Sequence, residues 1–145
     1  MALHDWIDLP PYTNLSALKK AHSFKFRLIG SLVNAGLVLV PLLVTIAYRS
    51  SLVPLWAQLL FVVIYGLITF GTITAWWVPY FTGRYWIHGN EAGFEEYCNT
   101  RSFLPPRGKN VIPNTLHVIL HIQVWICFGL SLYWLCVGGW NGPLA

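Results

Sequence analysis

Charge is what this sequence has least of. Only 10% of its 145 residues are charged and 56% are hydrophobic, whereas about a quarter of the residues in a typical soluble domain are charged. The net charge of +4 is too small, and too closely tied to predicted helix ends, to indicate nucleic-acid binding. The composition instead favours a protein whose main solvent is lipid.

Cysteine is also scarce. The three cysteines, Cys98, Cys127 and Cys136, are an odd number and contain no CxxC pair, so the sequence implies no disulfide framework. Neither a glycine-rich phosphate loop nor a nucleophile elbow occurs, and no internal repeat is present. The sequence therefore identifies no catalytic residue.

The longest uncharged run covers residues 50–83, between Arg49 and Arg84. A helix rises about 1.5 Å per residue, so roughly 20 apolar residues cross a hydrocarbon core about 30 Å thick. The run exceeds that length, which predicts a central transmembrane helix. Aromatic rings favour the headgroup level, so an aromatic belt is predicted at its end. The residues of the belt are Trp76, Trp77, Tyr80, Phe81, Tyr85 and Trp86.

The whole chain predicts an all-α integral membrane protein with three transmembrane helices and a short interfacial helix between the second and third. The predicted segments are a cytoplasmic N-terminal segment with a basic interfacial helix start (1–27), the first span (28–48), a short external connection (49–54), the second span (55–79), a cytoplasmic polar connection (80–112), the third span (113–137) and an external tail (138–145). Pro113 or Asn114 is expected to start the third span, and Asn90 to start the surface helix.

The distribution of lysine and arginine predicts the orientation. Four lie before the first span, Arg49 alone in the first connection, four in the second connection and none in the tail. Short cytoplasmic segments retain basic residues, so the N-terminus is predicted to be cytoplasmic and the C-terminus outside the cell membrane. Anionic lipid headgroups are the predicted partners of the basic residues near the helix ends. These residues are Lys19, Lys20, Lys25, Arg27, Arg84, Arg107 and Lys109.

Small and polar residues in the first two spans predict helix contacts. Asn34 is an amide within the first span, and such a group needs a hydrogen-bond partner in lipid. Gly66, Thr69 and Thr72 recur at intervals of three in the second span. That spacing gives one small face, which we interpret as a packing surface.

A second polar stripe is predicted on the third span. Gln123, Cys127 and Ser131 recur every four residues. They indicate either helix packing or, in a homo-oligomer, the polar lane of a transporter. Gln123 is six residues after His117, about 240° around the helix, so this stripe and the histidines cannot meet one partner.

Histidines supply the main chemical hypothesis. His117 and His121 are four residues apart and therefore share one helix face. With His88, Glu91 and Glu95 of the second connection they are candidate ligands for a transition metal or haem on the cytoplasmic side. The structural alternative is a histidine that points to headgroup water or bonds to a neighbouring helix.

The H-x-x-x-H element from His117 to His121 loosely resembles histidine motifs of integral-membrane metal hydroxylases and desaturases. Those enzymes use several histidine boxes, and this chain has one. Val118 also stands where an H-E-x-x-H motif has its glutamate base. The resemblance covers five residues, so no activity is carried over from it.

Three functional hypotheses follow. The first is a small interaction or accessory protein that packs through its small and polar helix faces. The second is a homo-oligomeric transporter or channel, and the third is a metal- or haem-dependent membrane enzyme. The predicted partners are membrane lipids and either a second copy or another membrane protein, and nucleic acid is not among them.

Overall fold

The computed structural model describes residues 6–85, 97 and 99–138, and this part of the chain contains helices and no β-strand. The predicted surface helix runs from residue 90 to about residue 99, and all of these positions except 97 and 99 lie outside the described residues. The helical elements are α1 (Leu15–Ala21), α2 (Phe24–Ala47), α3 (Leu55–Thr72), a π-helical turn (Ile73–Trp77), α4 (Val78–Thr82) and α5 (Thr115–Gly138).

Three helices are long and apolar enough to cross a membrane. They are α2, the continuous helix Leu55–Thr82 and the stretch Thr115–Val137 of α5, with 24, 28 and 23 residues. Most of their large apolar side chains are exposed, and Leu67 is 67% exposed. Such surfaces are stable against lipid and not against water. The predicted all-α class with three spans is confirmed, and the chain is a small multi-pass membrane protein.

Side-chain caps set the start of each of the first two helices. The Asn14 side chain accepts the backbone N–H of Ala17, and the Ser23 side chain accepts that of Phe26. These caps satisfy amide groups that a helix start otherwise leaves unpaired. Because Ser23 caps α2, the helix begins at Phe24, before the predicted span boundary at residue 28.

Pro79 explains the π-helical turn in the second long helix. Proline has no backbone N–H, and its ring crowds the carbonyl four residues earlier, here that of Ala75. The N–H of Val78 accordingly bonds to the carbonyl of Ile73, five residues back. The wider turn accommodates an extra residue, which lets the consecutive Trp76 and Trp77 both contact α5.

The helices pack unequally. The α3 and α5 helices pack against each other extensively, whereas α2 makes few contacts with α3. Only Arg27, Ser31 and Pro41 are buried on α2. The α3–α5 pair is therefore the core of the described part of the chain.

The N-terminal segment lies at the same end of the helices as the second connection. The indole N–H of Trp6 donates to the Ser31 hydroxyl at 2.8 Å, and the Arg27 guanidinium lies 4.8 Å from the Trp6 ring centre. The backbone N–H of Arg101 donates to the Pro11 carbonyl at 2.7 Å. These contacts bring together the two regions that carry most of the basic residues.

The second connection folds back onto the end of α4. The Tyr80 hydroxyl donates to the Pro105 carbonyl at 3.0 Å, and the Asn110 amide donates to the Tyr80 carbonyl at 2.9 Å. Gly83 ends α4 in the left-handed conformation with φ of 68°. A Cβ atom at this glycine would lie 2.8 Å from Asn110 Oδ1, so a side chain there would displace the amide.

We expect Gly83→Ala to lower the free energy of unfolding by about 2 kcal/mol, through left-handed strain and a weakened Asn110–Tyr80 hydrogen bond. Gly108 is the matched control because it also has a positive φ, of 60°, and a Cβ atom added to it would have no neighbouring atom within 4 Å. Gly108→Ala should show the strain alone, about 1 kcal/mol. Unfolding in detergent micelles measures both, and equal losses would contradict the proposed contact.

Candidate functional site

The predicted histidine pair lies on α5 where this helix packs against the π-helical turn, and aromatic rings surround it. His117 and His121 are only 6% and 1% exposed, and their ring centres are 6.0 Å apart. We call the surrounding group the histidine–tryptophan cluster. Its members are Trp76, Trp77, Tyr97, His117, His121 and Trp125.

His117 is held by the residue that caps α5. The Asn114 side-chain oxygen accepts the backbone N–H of His117 at 2.9 Å and lies 2.8 Å from His117 Nδ1. A carbonyl oxygen only accepts, so Nδ1 carries a proton and donates. Trp76 lies over this ring at 4.2 Å, and Tyr97 meets it edge-on at 4.9 Å between centres.

His121 has the opposite tautomer. The indole N–H of Trp77 donates to His121 Nδ1 at 3.1 Å. An indole nitrogen is a donor only, so Nδ1 is unprotonated and the neutral ring carries its proton at Nε2. This hydrogen bond joins α5 to the π-helical turn, and it requires a ring whose Nδ1 is free to accept.

The two histidines differ in whether they could bind a metal and keep their present hydrogen bonds. A metal-bound histidine usually donates its other ring N–H to an acceptor, as His117 does to Asn114. Coordination through His121 Nε2 would instead place a proton on Nδ1, directly against the Trp77 N–H. Coordination through Nδ1 would replace the Trp77 hydrogen bond.

The structure brings no further predicted metal ligand beside the histidine pair among the residues that it describes. His88, Glu91 and Glu95 lie outside the described residues. Among residues 6–85, 97 and 99–138, no group of three or more His, Cys, Asp and Glu side chains is arranged to hold a metal ion.

A small pocket adjoins His117 at the end of the helices. Its accessible volume is about 20 Å³, enough for a water molecule or a small ion. It lies where the start of α1 approaches the start of α5. The lining residues are Tyr12, Thr13, Asn14, Leu18, Tyr97, Asn114, Leu116 and His117.

The contacts between α3 and α5 continue beyond the histidines. The Trp125 indole donates to the Thr72 hydroxyl at 3.2 Å, and that hydroxyl donates to the Thr69 carbonyl at 2.8 Å. Nearly two turns earlier on α3, a Cβ atom at Gly66 would lie 3.1 Å from a ring carbon of Phe128. The predicted small face of the second span thus lies against α5. Trp125 and Phe128 are the partners that the sequence did not indicate.

The three residues of the predicted polar stripe on α5 differ in their exposure. Ser131 is buried and donates to the Cys127 carbonyl at 2.7 Å, Cys127 is half-buried, and Gln123 is exposed. Each four-residue step advances about 40° around an α-helix, so the three side chains turn progressively from the outer surface towards α3.

Asn34 is half-buried on α2. No hydrogen bond joins its side chain to another residue in the part of the chain that the structure describes.

Among the basic residues predicted to meet headgroups, Arg27 is buried and the others are exposed. The exposed residues are Lys19, Lys20, Lys25, Arg84, Arg107 and Lys109.

Comparisons with protein-family models, with curated proteins and with solved structures find no match to this chain. The class that the fold defines is a small all-α multi-pass membrane protein. Its distinguishing feature among the described residues is the histidine–tryptophan cluster between two candidate spans.

Proposed function

We propose that the protein is an interaction or accessory subunit of a membrane assembly. The α3–α5 pair is its internally bonded core, and α2 is the helix that meets a partner membrane protein. The observation that carries this proposal is the position of Asn34.

Asn34 lies near the middle of α2, ten residues after the helix begins, or about 15 Å along its axis. An amide at this depth has two donors and an acceptor that lipid cannot satisfy. Since α2 contributes little to the packing of this chain and no described residue bonds to Asn34, a partner helix is the natural source of the missing hydrogen bonds.

The histidine–tryptophan cluster supports a structural role for the polar groups of α5. His117 bonds to its own helix cap, His121 receives the Trp77 N–H, and Trp125 donates to Thr72. The His121 and Trp125 bonds hold two helices together at successive turns. Buried polar groups that are satisfied in this way make helix packing specific.

Replacement of Asn34 tests the proposal. Blue native electrophoresis of gently solubilised membranes from the source cells should show the wild type in an assembly larger than a dimer of this chain. Asn34→Leu should lose that assembly, and Asn34→Gln, which keeps an amide, should retain it. Thr45→Val is the control, because the Thr45 hydroxyl bonds within α2 to the Pro41 carbonyl. Migration that is unchanged by Asn34→Leu would refute the proposal.

The geometry of His117 favours one alternative function. Its Nδ1–H donates to Asn114, just as many metal-bound histidines donate one ring N–H to an acceptor. A metal- or haem-dependent enzyme would combine this ring with His88, Glu91 or Glu95. The arrangement of His121 argues against a site that uses both histidines.

For orientation, we propose a cytoplasmic N-terminus. The exposed lysines and arginines of the N-terminal segment and the second connection lie at one end of the helices, and only Arg49 is in the first connection. Basic residues are retained on the cytoplasmic side, where they also attract anionic lipid headgroups.

Thiol labelling provides the test of orientation. In a variant without native cysteines, Ser51→Cys should react with a membrane-impermeant maleimide in intact cells, and Ser16→Cys should react only after permeabilisation. Both serines are exposed, and neither replacement changes a charge. The reverse pattern would mean that the N-terminus is outside.

A further inference from the structure

The outward surface of α5 carries a regular pattern that its contacts with α3 do not use. Exposed side chains recur at alternating intervals of four and three residues, on the side of the helix away from the histidines. They are Ile119, Gln123, Ile126, Leu130, Tyr133 and Val137. This is the spacing of the a and d positions of a heptad repeat, which forms the contact line of a left-handed helix pair.

We propose that this line is the surface through which two copies of the chain pair, with their α5 helices parallel. The pairing extends the proposed interaction role by naming a second partner, and it uses a different helix from the Asn34 contact. Every copy has the same orientation in the membrane, so helices that meet at a two-fold axis along the membrane normal are parallel.

Gln123 indicates that the partner of this α5 surface is a second copy of the chain. It is the second member of the line, about 12 Å from the start of α5, and no described residue bonds to its exposed amide. In a parallel two-fold pair each a or d residue faces its own copy at equal depth. An amide both donates and accepts, so two Gln123 side chains satisfy each other where lipid cannot.

The apolar members of the line supply the close contact on both sides of this amide pair. Ile119 precedes Gln123, and Ile126 and Leu130 follow it at the next two positions; all three are exposed. In coiled coils a single polar a position surrounded by apolar residues fixes register and favours one stoichiometry. The same arrangement here predicts a dimer in fixed register.

Cysteine cross-linking in membranes tests the surface. In a variant without native cysteines, Leu130→Cys should form a disulfide-linked dimer on mild oxidation, whereas Gly129→Cys should not. The two positions are adjacent and exposed but point about 100° apart, and no atom lies near the Gly129 Cβ position. Equal linking at both positions, no linking at Leu130→Cys, or linking only to a different protein would overturn the proposal.

Replacement of the amide provides a second measurement. Gln123→Leu should raise the dimer dissociation constant in lipid vesicles about tenfold, and Gln123→Asn should largely restore it. Dilution in lipid followed by photobleaching-step counting gives both the stoichiometry and the dissociation constant. Three or more steps, a monomer at all dilutions, or an unchanged constant in Gln123→Leu would refute the pairing. Asn34→Leu should leave the cross-link intact, which separates failure of this pairing from failure of the proposed α2 contact.

Discussion

Replacing His121 with alanine should lower the free energy of unfolding by about 3–5 kcal/mol, the largest loss that we expect from any single substitution in the described part of the chain. The His121 side chain is 1% exposed, so its removal leaves a cavity beside Trp77 and Trp125. It also removes the acceptor of the Trp77 indole N–H. Thermal or denaturant unfolding in detergent micelles measures the loss.

Two further variants separate the cavity from the hydrogen bond. His121→Asn can place an oxygen near the position of Nδ1 and should recover about 1 kcal/mol relative to alanine. A double-mutant cycle with Trp77→Phe should give a coupling energy of about 1 kcal/mol. His22→Ala is the control at a half-buried histidine outside α5. If His121→Ala destabilises the protein no more than His22→Ala does, His121 does not fasten the two helices.

The second large effect is expected at Gly66. Even a single Cβ atom there would approach the Phe128 ring to 3.1 Å, so a leucine side chain would force α3 and α5 apart. We expect Gly66→Leu to lower the free energy of unfolding by about 3 kcal/mol, in the range of an overpacked core.

Gly71 is the matched control for this substitution. It lies five residues later in the same helix, and a Cβ atom added to it would have no neighbouring atom within 4 Å. Gly71→Leu should be neutral or slightly stabilising, because leucine has the higher helix propensity. Equal effects at the two glycines, measured by unfolding in the same detergent, would show that the Phe128 contact does not support the fold.

Simple physical rules predict the three spans from the sequence. A run as long and uncharged as residues 50–83 has few alternatives to crossing a membrane. The caps at Asn14 and Ser23 also reflect local chemistry, because a side-chain oxygen bonds to an amide three residues away. Local signals of this kind require no knowledge of distant neighbours.

The arrangement of the histidine–tryptophan cluster depends on contacts between residues that are distant in the sequence. The i, i+4 spacing places His117 and His121 on one face, but their partners Trp76 and Trp77 are about 40 residues earlier in the chain. Their joint approach to α5 depends on the π-helical turn before Pro79. Pro79 is the one feature of the sequence that could have indicated this π-helical turn, because a proline lacks the N–H that would complete the turn before it. The tautomers follow only from the resulting contacts.

The polar stripe on α5 illustrates a limit of exact four-residue spacing. A helix turns once in 3.6 residues, so Gln123, Cys127 and Ser131 drift around it and reach three environments. Alternating steps of four and three residues stay closer to one line. With alternating steps of three and four residues, Gln123 lies on the same line along the helix as Ile126 and Leu130. The division of the stripe weakens the hypothesis of a continuous polar lane for transport.

We propose that the histidine–tryptophan cluster stabilises the packing of the second long helix against α5 and binds no cofactor. The most direct measurement is elemental metal analysis with an optical spectrum on detergent-purified protein, before and after incubation with transition metals or haem. We expect no stoichiometric metal and no haem absorbance in either the wild type or the His117→Ala/His121→Ala variant. Stoichiometric metal or haem in the wild type that is lost in the variant would contradict it, and would make the metal- or haem-dependent enzyme the better proposal.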